Sequence, residues 1–276
     1  MKKFTTFMLA SVFTSLMLTG CSKDEETTPG FNEEARKSNM VDEVADDVAA
    51  IAEDQYNSQS MANRMQNETV LPFLPECATV TTVVSASSWQ RTIDFGSTGC
   101  TLNNGNIVSG TIVVNGSLNF SAPSQTISYT FVNFYHNNRL VEGNRTITHI
   151  PSNQNGNPQS TISLDMTVTF ADGTVVSREG SRVREMTAGQ ATPHIFADNE
   201  YNVTGSWTTT FPNAVHVANV ASPLHIKMSC PRIVSGILNI NRNGNQLVFD
   251  YGSGACDNDA TLSVNGGAPI AITLGN

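Results

Sequence analysis

Ile162, Leu164, Met166, Val168 and Phe170 alternate with Ser163, Asp165, Thr167 and Thr169, and this two-residue period is the feature that most constrains the fold. Successive side chains of a strand point to opposite faces, so the run reads as a strand with one apolar and one wet face. Asp172-Gly173 then turns the chain into Thr174 to Met186, a hairpin signal. Similar alternation occurs in Ile127/Tyr129/Phe131, Tyr201/Val203/Trp207/Phe211, Leu224/Ile226/Met228 and Ile270/Ile272/Leu274. Between such runs stand Asn104-Gly105, Asn115-Gly116, Asn137-Asn138, Asn155-Gly156, Asn243-Gly244 and Asn265-Gly266. Asn and Gly tolerate the positive φ that tight hairpin turns need, so each pair is expected to be a turn. On the order of a dozen short strands follow from these signals. No helical pattern separates them, which disfavours parallel βαβ units. The expectation is a mainly β body over residues 70–276. It is a large antiparallel twisted sheet (open, half-barrel or sandwich-like), preceded by one amphipathic N-terminal helix.

That helix is expected from about residue 33 to 57, in a helical segment and linker spanning 33–69. Val41, Val44, Ala45, Val48, Ile51 and Ala52 recur at three- and four-residue spacing and form one apolar stripe. Asp42, Glu43, Asp46, Asp47, Glu53 and Asp54 fill the other side and read as a solvated face. Residues 21–70 hold 12 acids and 4 bases, so the acidity of the chain belongs to its N-terminal segment and the β body is close to neutral. Without a basic field to neutralise phosphates, no nucleic-acid partner is expected.

Five cysteines occur, at 21, 77, 100, 230 and 256. Ile93-Asp94-Phe95-Gly96-Ser97 leads to Cys100, and Phe249-Asp250-Tyr251-Gly252-Ser253 leads to Cys256. Each D-[FY]-G-S-x-x-C follows another cysteine by about twenty residues, and Ile107-Val108-Ser109-Gly110 is echoed by Ile233-Val234-Ser235-Gly236. We read two diverged strand–loop–strand units, each closed by its own bridge: Cys77–Cys100 and Cys230–Cys256. Four cysteines also suit a metal, but the C-x-x-C spacing of such sites is missing, and no metal or other cofactor is expected.

Lys2 and Lys3 precede a largely apolar stretch from Phe4 to Leu18, which ends in Leu18-Thr19-Gly20-Cys21. The stretch is short for a stable span and reads as a cleavable signal over residues 1–20. Its end resembles the lipobox of bacterial lipoprotein precursors. That resemblance implies diacylation of the Cys21 sulfur, cleavage before it and acylation of its nitrogen with fatty acid such as palmitate, which anchors the chain to a membrane. Ser22-Lys23-Asp24-Glu25-Glu26 begins an acidic tether over 21–32. It resembles the export signal that sends Bacteroidota lipoproteins through the outer membrane to the cell surface. Over nearly the whole chain the sequence resembles a set of uncharacterised Bacteroidota surface lipoproteins. That likeness is carried by the lipobox, the acidic helix, Leu74 to Thr81, the D-F-G…C segment, Val141 to Thr146, Phe170 to Thr174, and Cys230 through Asn258. It implies the domain boundaries and a lipid-anchored, outward-facing location, and it transfers no activity.

No G-x-S-x-G, H-E-x-x-H, P-loop or dinucleotide motif is present. His136, His149, His194, His216 and His225 lack ligand spacing. Asp94 and Asp250 sit at equivalent places in the two units and suit either a carboxylate pair or, more simply, a bond to the backbone of the Gly turn that follows. Arg178, Arg182 and Arg184 share parity on one expected strand. They are either a face paired to acids elsewhere or, with Trp89 or Trp207, a candidate face for an anionic or glycan ligand. The sequence thus points to a membrane-anchored, non-enzymatic binding or envelope-structural module whose partner is a glycan or an envelope or host protein. A hydrolase of extracellular polymers and a carrier of lipid or another apolar ligand are the alternatives.

Overall fold

The computed structural model describes residues 31–64, 74–192, 198–230 and 233–273. Cys21, the leader, His194 and Leu274 lie outside them. The first element among the described residues is a helix, α1 (Phe31–Arg64), longer than the apolar stripe alone predicts because Asn57 to Arg64 continue it. Five elements follow: β1 (Thr79–Val84), β2 (Ser88–Asp94), β3 (Cys100–Thr101), β4 (Ile107–Ser117) and β5 (Gln125–His136). Next come β6 (Arg139–Glu142), β7 (Asn144–Ile150), β8 (Gln159–Ser163), β9 (Met166–Thr169) and β10 (Val175–Ala188). The chain ends with β11 (Glu200–Phe211), β12 (Ala214–Lys227), β13 (Ile233–Arg242), β14 (Asn245–Ser253), β15 (Asp259–Val264) and β16 (Ile270–Thr273).

All sixteen strands join one antiparallel sheet in chain order. Two elaborations interrupt that order: near the start the short β3 pairs β4, and the larger one is in the middle. β6 and β7 pair along the same edge of β5, while β9 and β8 pair along the same edge of β10. Each couple is one long strand interrupted at Gly143 or at Leu164-Asp165. The expected run from Ile162 to Phe170 is therefore split, and the topology is a simple meander. Such a meander needs only short connections, which the Asn and Gly turns supply. Asn137-Asn138, Asn243-Gly244 and Asn265-Gly266 all have positive φ, as the hairpin turns demand.

One expected turn is not a turn. Asn115-Gly116 lies inside β4, where Gly116 opposes Trp89. A Cβ on Gly116 would come within 2.5 Å of the Trp89 ring. The glycine is there to admit an indole rather than to reverse the chain.

Both bridges pair as the two-unit reading expects, Cys77 with Cys100 and Cys230 with Cys256. The I-V-S-G echo has a structural counterpart. Gly110 and Gly236 have φ of 83° and 117°, and each marks a bulge where the ladder skips a residue. In both units the I-V-S-G strand lies beside the D-[FY]-G-S strand, through Gly110 N–H to Gly96 O in one and Ser235 opposite Ser253 in the other. The order in the chain is reversed between units, yet the same two segments are neighbours. Asp94 and Asp250 each accept the amide of the glycine two residues on, at 2.8 and 2.9 Å, so these carboxylates hold turns.

One face of the sheet is apolar and curls around α1. Val41, Val44, Val48, Ile51 and Ala52 are fully buried against Ile93, Ile112, Ile127, Tyr129, Ile147 and Val168. The helix reaches from β2, where Arg91 donates to Gln55 O, to β13, where Arg242 holds Glu34. Only a narrow stripe that includes Arg36, Asn39, Glu43 and Asp46 faces solvent. The sheet is therefore a trough, and the helix lies along its floor.

Candidate functional site: an arginine-lined trough

β10 alternates, and its even residues face the trough. Val176 and Arg178 are fully buried and Met186 nearly so, which fixes the parity that directs Arg182 and Arg184 inward as well. The three arginines therefore share one face, as the sequence spacing predicts. That face is covered by α1. Asp42 bridges Arg178 and Arg182, Asp46 lies 3.4 Å from Arg182, and Glu53 pairs with Arg184. Arg178 also donates to Thr209 Oγ1 at 3.0 Å and Ser38 Oγ at 3.0 Å. Burial works to raise the Asp42 carboxyl, but the Arg178 and Arg182 charges outweigh it and hold it below its ordinary range.

The aromatic partners separate. Trp207, on β11, lies beneath the Arg182 guanidinium at 4.3 Å, and Tyr201 lies beneath Arg184 at 5.1 Å, cation–π contacts inside the protein. Trp89 belongs to β2, packs on Gly116 and donates its indole N–H to Ser117 O at 3.2 Å. The expected grouping of Trp89 with the arginines is thus replaced by Trp207 and Tyr201.

Three further anchors of the helix escape a reading of the sequence. Arg145, on β7, is fully buried and donates to Ser163 O at 2.8 and 3.0 Å and to Ala45 O, a helix carbonyl, at 3.1 Å. Burial lowers its pKa, and it stacks 5.4 Å from the Tyr129 ring. Burial pushes the Tyr129 phenol itself up to about 12. Near the start of the helix Glu34 accepts two bonds from Arg242, at 2.7 and 2.9 Å, and lies 2.8 Å from His216 Nε2. The Arg242 bonds hold Glu34 below its usual range against the effect of burial. Lys37 spans to Asp172 in the β9–β10 turn at 2.7 Å.

On the opposite flank Asp47 lies 2.8 Å from His136 Nε2 and accepts bonds from Asn104 and Asn106. His225 is held by Asn202 and Glu200 on β11, and His149 by Ser160 on β8. Parity was the available signal for Arg145 and Arg242: they fall in phase with Ile147 and Ile240. The identity of their partners was not available.

The acidic side of α1 is thus corrected. Asp42, Asp47 and Glu53 are not a solvated face but the lateral contacts of the helix, because the sheet curls up both flanks and meets residues a flat sheet would leave in water. Chemically the trough is an anion-binding surface of guanidiniums over aromatic rings, and the anions it holds are carboxylates of the same chain. Among the described residues, no group of three or more His, Cys, Asp or Glu has the geometry to hold a metal, and no helix is long and apolar enough to cross a membrane. No protein-family model, curated protein or solved structure matches this chain.

Proposed function

We propose that this chain is a lipid-anchored outer-membrane protein of a bacterium, displayed on the cell exterior, whose β body is a non-enzymatic binding or envelope-structural module. The observation that carries the reading is the seating of α1. The helix begins ten residues after Cys21 and is fixed in the trough by ion pairs on one flank and by hydrogen bonds between Asp47 and His136, Asn104 and Asn106 on the other. A lipid on Cys21 would therefore hold the whole β body near the membrane through a short acidic tether and a buried helix, rather than through a long flexible stalk. Two or more acyl chains give stable anchoring, where one gives only marginal binding.

The seated helix also bears on ligand class. An apolar ligand would need the space that Val41, Val44, Val48 and Ile51 fill, which counts against the carrier reading. A glycosidase-like hydrolase would need two carboxylates facing each other across a cleft, about 5–10 Å apart, whereas Glu34, Asp42 and Glu53 are each engaged by arginine. The Arg178/Arg182/Arg184 face is occupied from within, so contact with a glycan or with an envelope or host protein falls to the outer face. There Gln90, Asn115 and Ser128 form one row in register, and Ser181, Ser206 and Asn219 another, neutral and hydrogen-bonding.

Metabolic labelling with palmitate tests the anchor. Label should enter the wild-type protein and be lost from Cys21→Ser, which should leave the membrane fraction. Protease added to intact cells should digest the β body. An unlabelled wild-type protein, or one digested only after lysis, would sink the corresponding half of the proposal.

A further inference from the structure

The two edges of the sheet are unlike. β16 is a four-residue strand entered through Pro269, and short strands flanked by proline are a usual guard against edge-to-edge pairing. β1 carries no such guard. Its six residues, Thr79-Val80-Thr81-Thr82-Val83-Val84, are all β-branched and uncharged. It pairs with β2 without a bulge, and among the described residues it has no partner on its other side. Val83 and Val84 point to opposite faces and are 60% and 56% exposed, the largest values among the exposed large hydrophobic residues. The Cys77–Cys100 bridge fastens the chain two residues before the strand begins, so β1 is held extended, and among the described residues nothing pairs with its outer N–H and C=O groups. Such an edge is a template for another strand.

We propose that β1 is the pairing edge for a second copy of this chain, forming a closed antiparallel dimer across a two-fold axis beside Thr82. The strand is its own complement. An antiparallel copy sets Val80 against Val84 and Thr81 against Val83, with no charged side chain on the strand itself; the nearest guanidinium, Arg91 of β2, is held by Thr82 Oγ1 and Gln55 O. A two-fold axis perpendicular to the sheet makes a self-limiting contact, whereas β1 against β16 would propagate into a filament. The same axis keeps both troughs on one side of the joined sheet. Both helices, and the tethers that precede them, then leave on a common side, which suits two chains anchored in one membrane. This last point rests on the anchor proposed at Cys21; the edge pairing does not.

Cross-linking tests it on the full-length protein in its own membrane. Residues facing each other across an antiparallel pair have Cα atoms about 4.5–5.5 Å apart, within disulfide reach. Thr82→Cys, oxidised under mild conditions, should run on a non-reducing gel at twice the mass of one chain and return to single mass with thiol. Thr81→Cys covers an axis shifted by one residue, and Ile270→Cys on the opposite edge is the control that should stay at single mass. Adding Val83→Lys to Thr82→Cys should abolish at least nine-tenths of the cross-link, because it places a lysine on each side of the axis. The proposal is overturned if neither edge cysteine cross-links above the Ile270→Cys level, if Val83→Lys leaves the yield unchanged, or if a ladder of higher species replaces the dimer. Cross-linking of Thr82→Cys in a chain whose native Cys21 takes up no palmitate keeps the dimer and removes the shared-membrane geometry. Its loss in protein that still takes up palmitate refutes the dimer alone.

Discussion

Asp42→Asn is the substitution that most directly tests whether the ion pairs hold the helix in its trough. Asp42 faces two guanidiniums, and its side chain is 30% exposed while that of Arg178 is fully buried. Asparagine keeps the volume and removes the charge. Arg178 is then left with Thr209, Ser38 and no anion on its own contacts, and Arg182 retains only the longer contact to Asp46. Removing one member of a buried pair costs about 3–5 kcal/mol, because the remaining charge stays desolvated. The exposure of Asp42 lets water screen part of this, so about 3 kcal/mol is expected. Urea unfolding followed by tryptophan fluorescence is the assay, since Trp207 lies directly beneath Arg182 and reports on the same contact. The double variant Asp42→Asn/Arg178→Met removes the stranded charge and should recover at least half of the loss. A loss below about 1 kcal/mol in the single variant would mean that the pair is solvated and worth no more than a surface bridge, and the trough would then be held by apolar packing alone.

Acid should weaken the helix–sheet contact: Glu34 and Asp42 have depressed folded-state pKa values, so their contribution is complete above the unfolded value of about 4. It is lost as pH falls through the folded values, and circular dichroism between pH 2 and 6 should show unfolding on the acid side of pH 4. Asp54 has the opposite sign, because burial pushes it up to about 6; its ionisation opposes folding as pH rises from about 4 to 6, so Asp54→Asn should raise Tm at pH 7 and change it little at pH 4. Replacing either cysteine pair with serine should cost roughly 3 kcal/mol for loops of 23 and 26 residues, read as a fall in the urea midpoint, with non-reducing peptide mapping recovering Cys77 with Cys100. Gly110→Ala and Gly236→Ala each put a Cβ where a carbonyl oxygen lies 2.0 or 2.4 Å away, at positive φ; each should destabilise by more than about 2 kcal/mol, and a thermal shift within a degree of wild type would refute the bulge assignment.

The strands were legible because a two-residue period survives any curvature of the sheet, and the disulfides because the repeated D-[FY]-G-S-x-x-C motif ranks the three ways of pairing four cysteines. Asn115-Gly116 misled because the same dipeptide serves a φ > 0 turn in one place and a space for an indole in another, and only the strand opposite decides which. The arginine stripe was legible as a stripe, since parity is local. Its occupant was not, since Asp42 and Arg178 are 136 residues apart and Glu53 and Arg184 are 131 apart. A helical wheel divides α1 into an apolar side and a charged side and assigns the second to water. That assignment assumes a flat partner. A sheet of this length curls, and once its walls rise past the apolar stripe they meet Asp42 and Glu53 on one flank and Asp47 on the other.

Why the flanks are ionic rather than apolar follows from the same geometry. A valine stripe on a smooth apolar floor packs nearly as well when the helix slides by one turn, since residues four apart present the same face. Ion pairs do not tolerate that slip. A shift of one turn, about 5.4 Å, would withdraw Asp42 from Arg178 and Glu34 from Arg242 together; even in the direction that brings Asp46 to Arg178, Arg242 is left facing Ser38 with no anion. Buried pairs add little net stability over well-packed hydrophobic residues, and their best-attested use is to fix register. Here the pairs lie near the start of the helix at Glu34, along its middle at Asp42, and two-thirds of the way along at Glu53, with the Asp47–His136 hydrogen bond on the other flank. We therefore expect the quintuple variant Glu34→Met/Arg242→Met/Asp42→Leu/Arg178→Met/Arg182→Met, which strands neither guanidinium that Asp42 holds, to keep most of its unfolding free energy while losing helix position. Broadened methyl resonances for Val41, Val44 and Val48 would report the lost register, and a single sharp set would show that apolar shape alone places the helix.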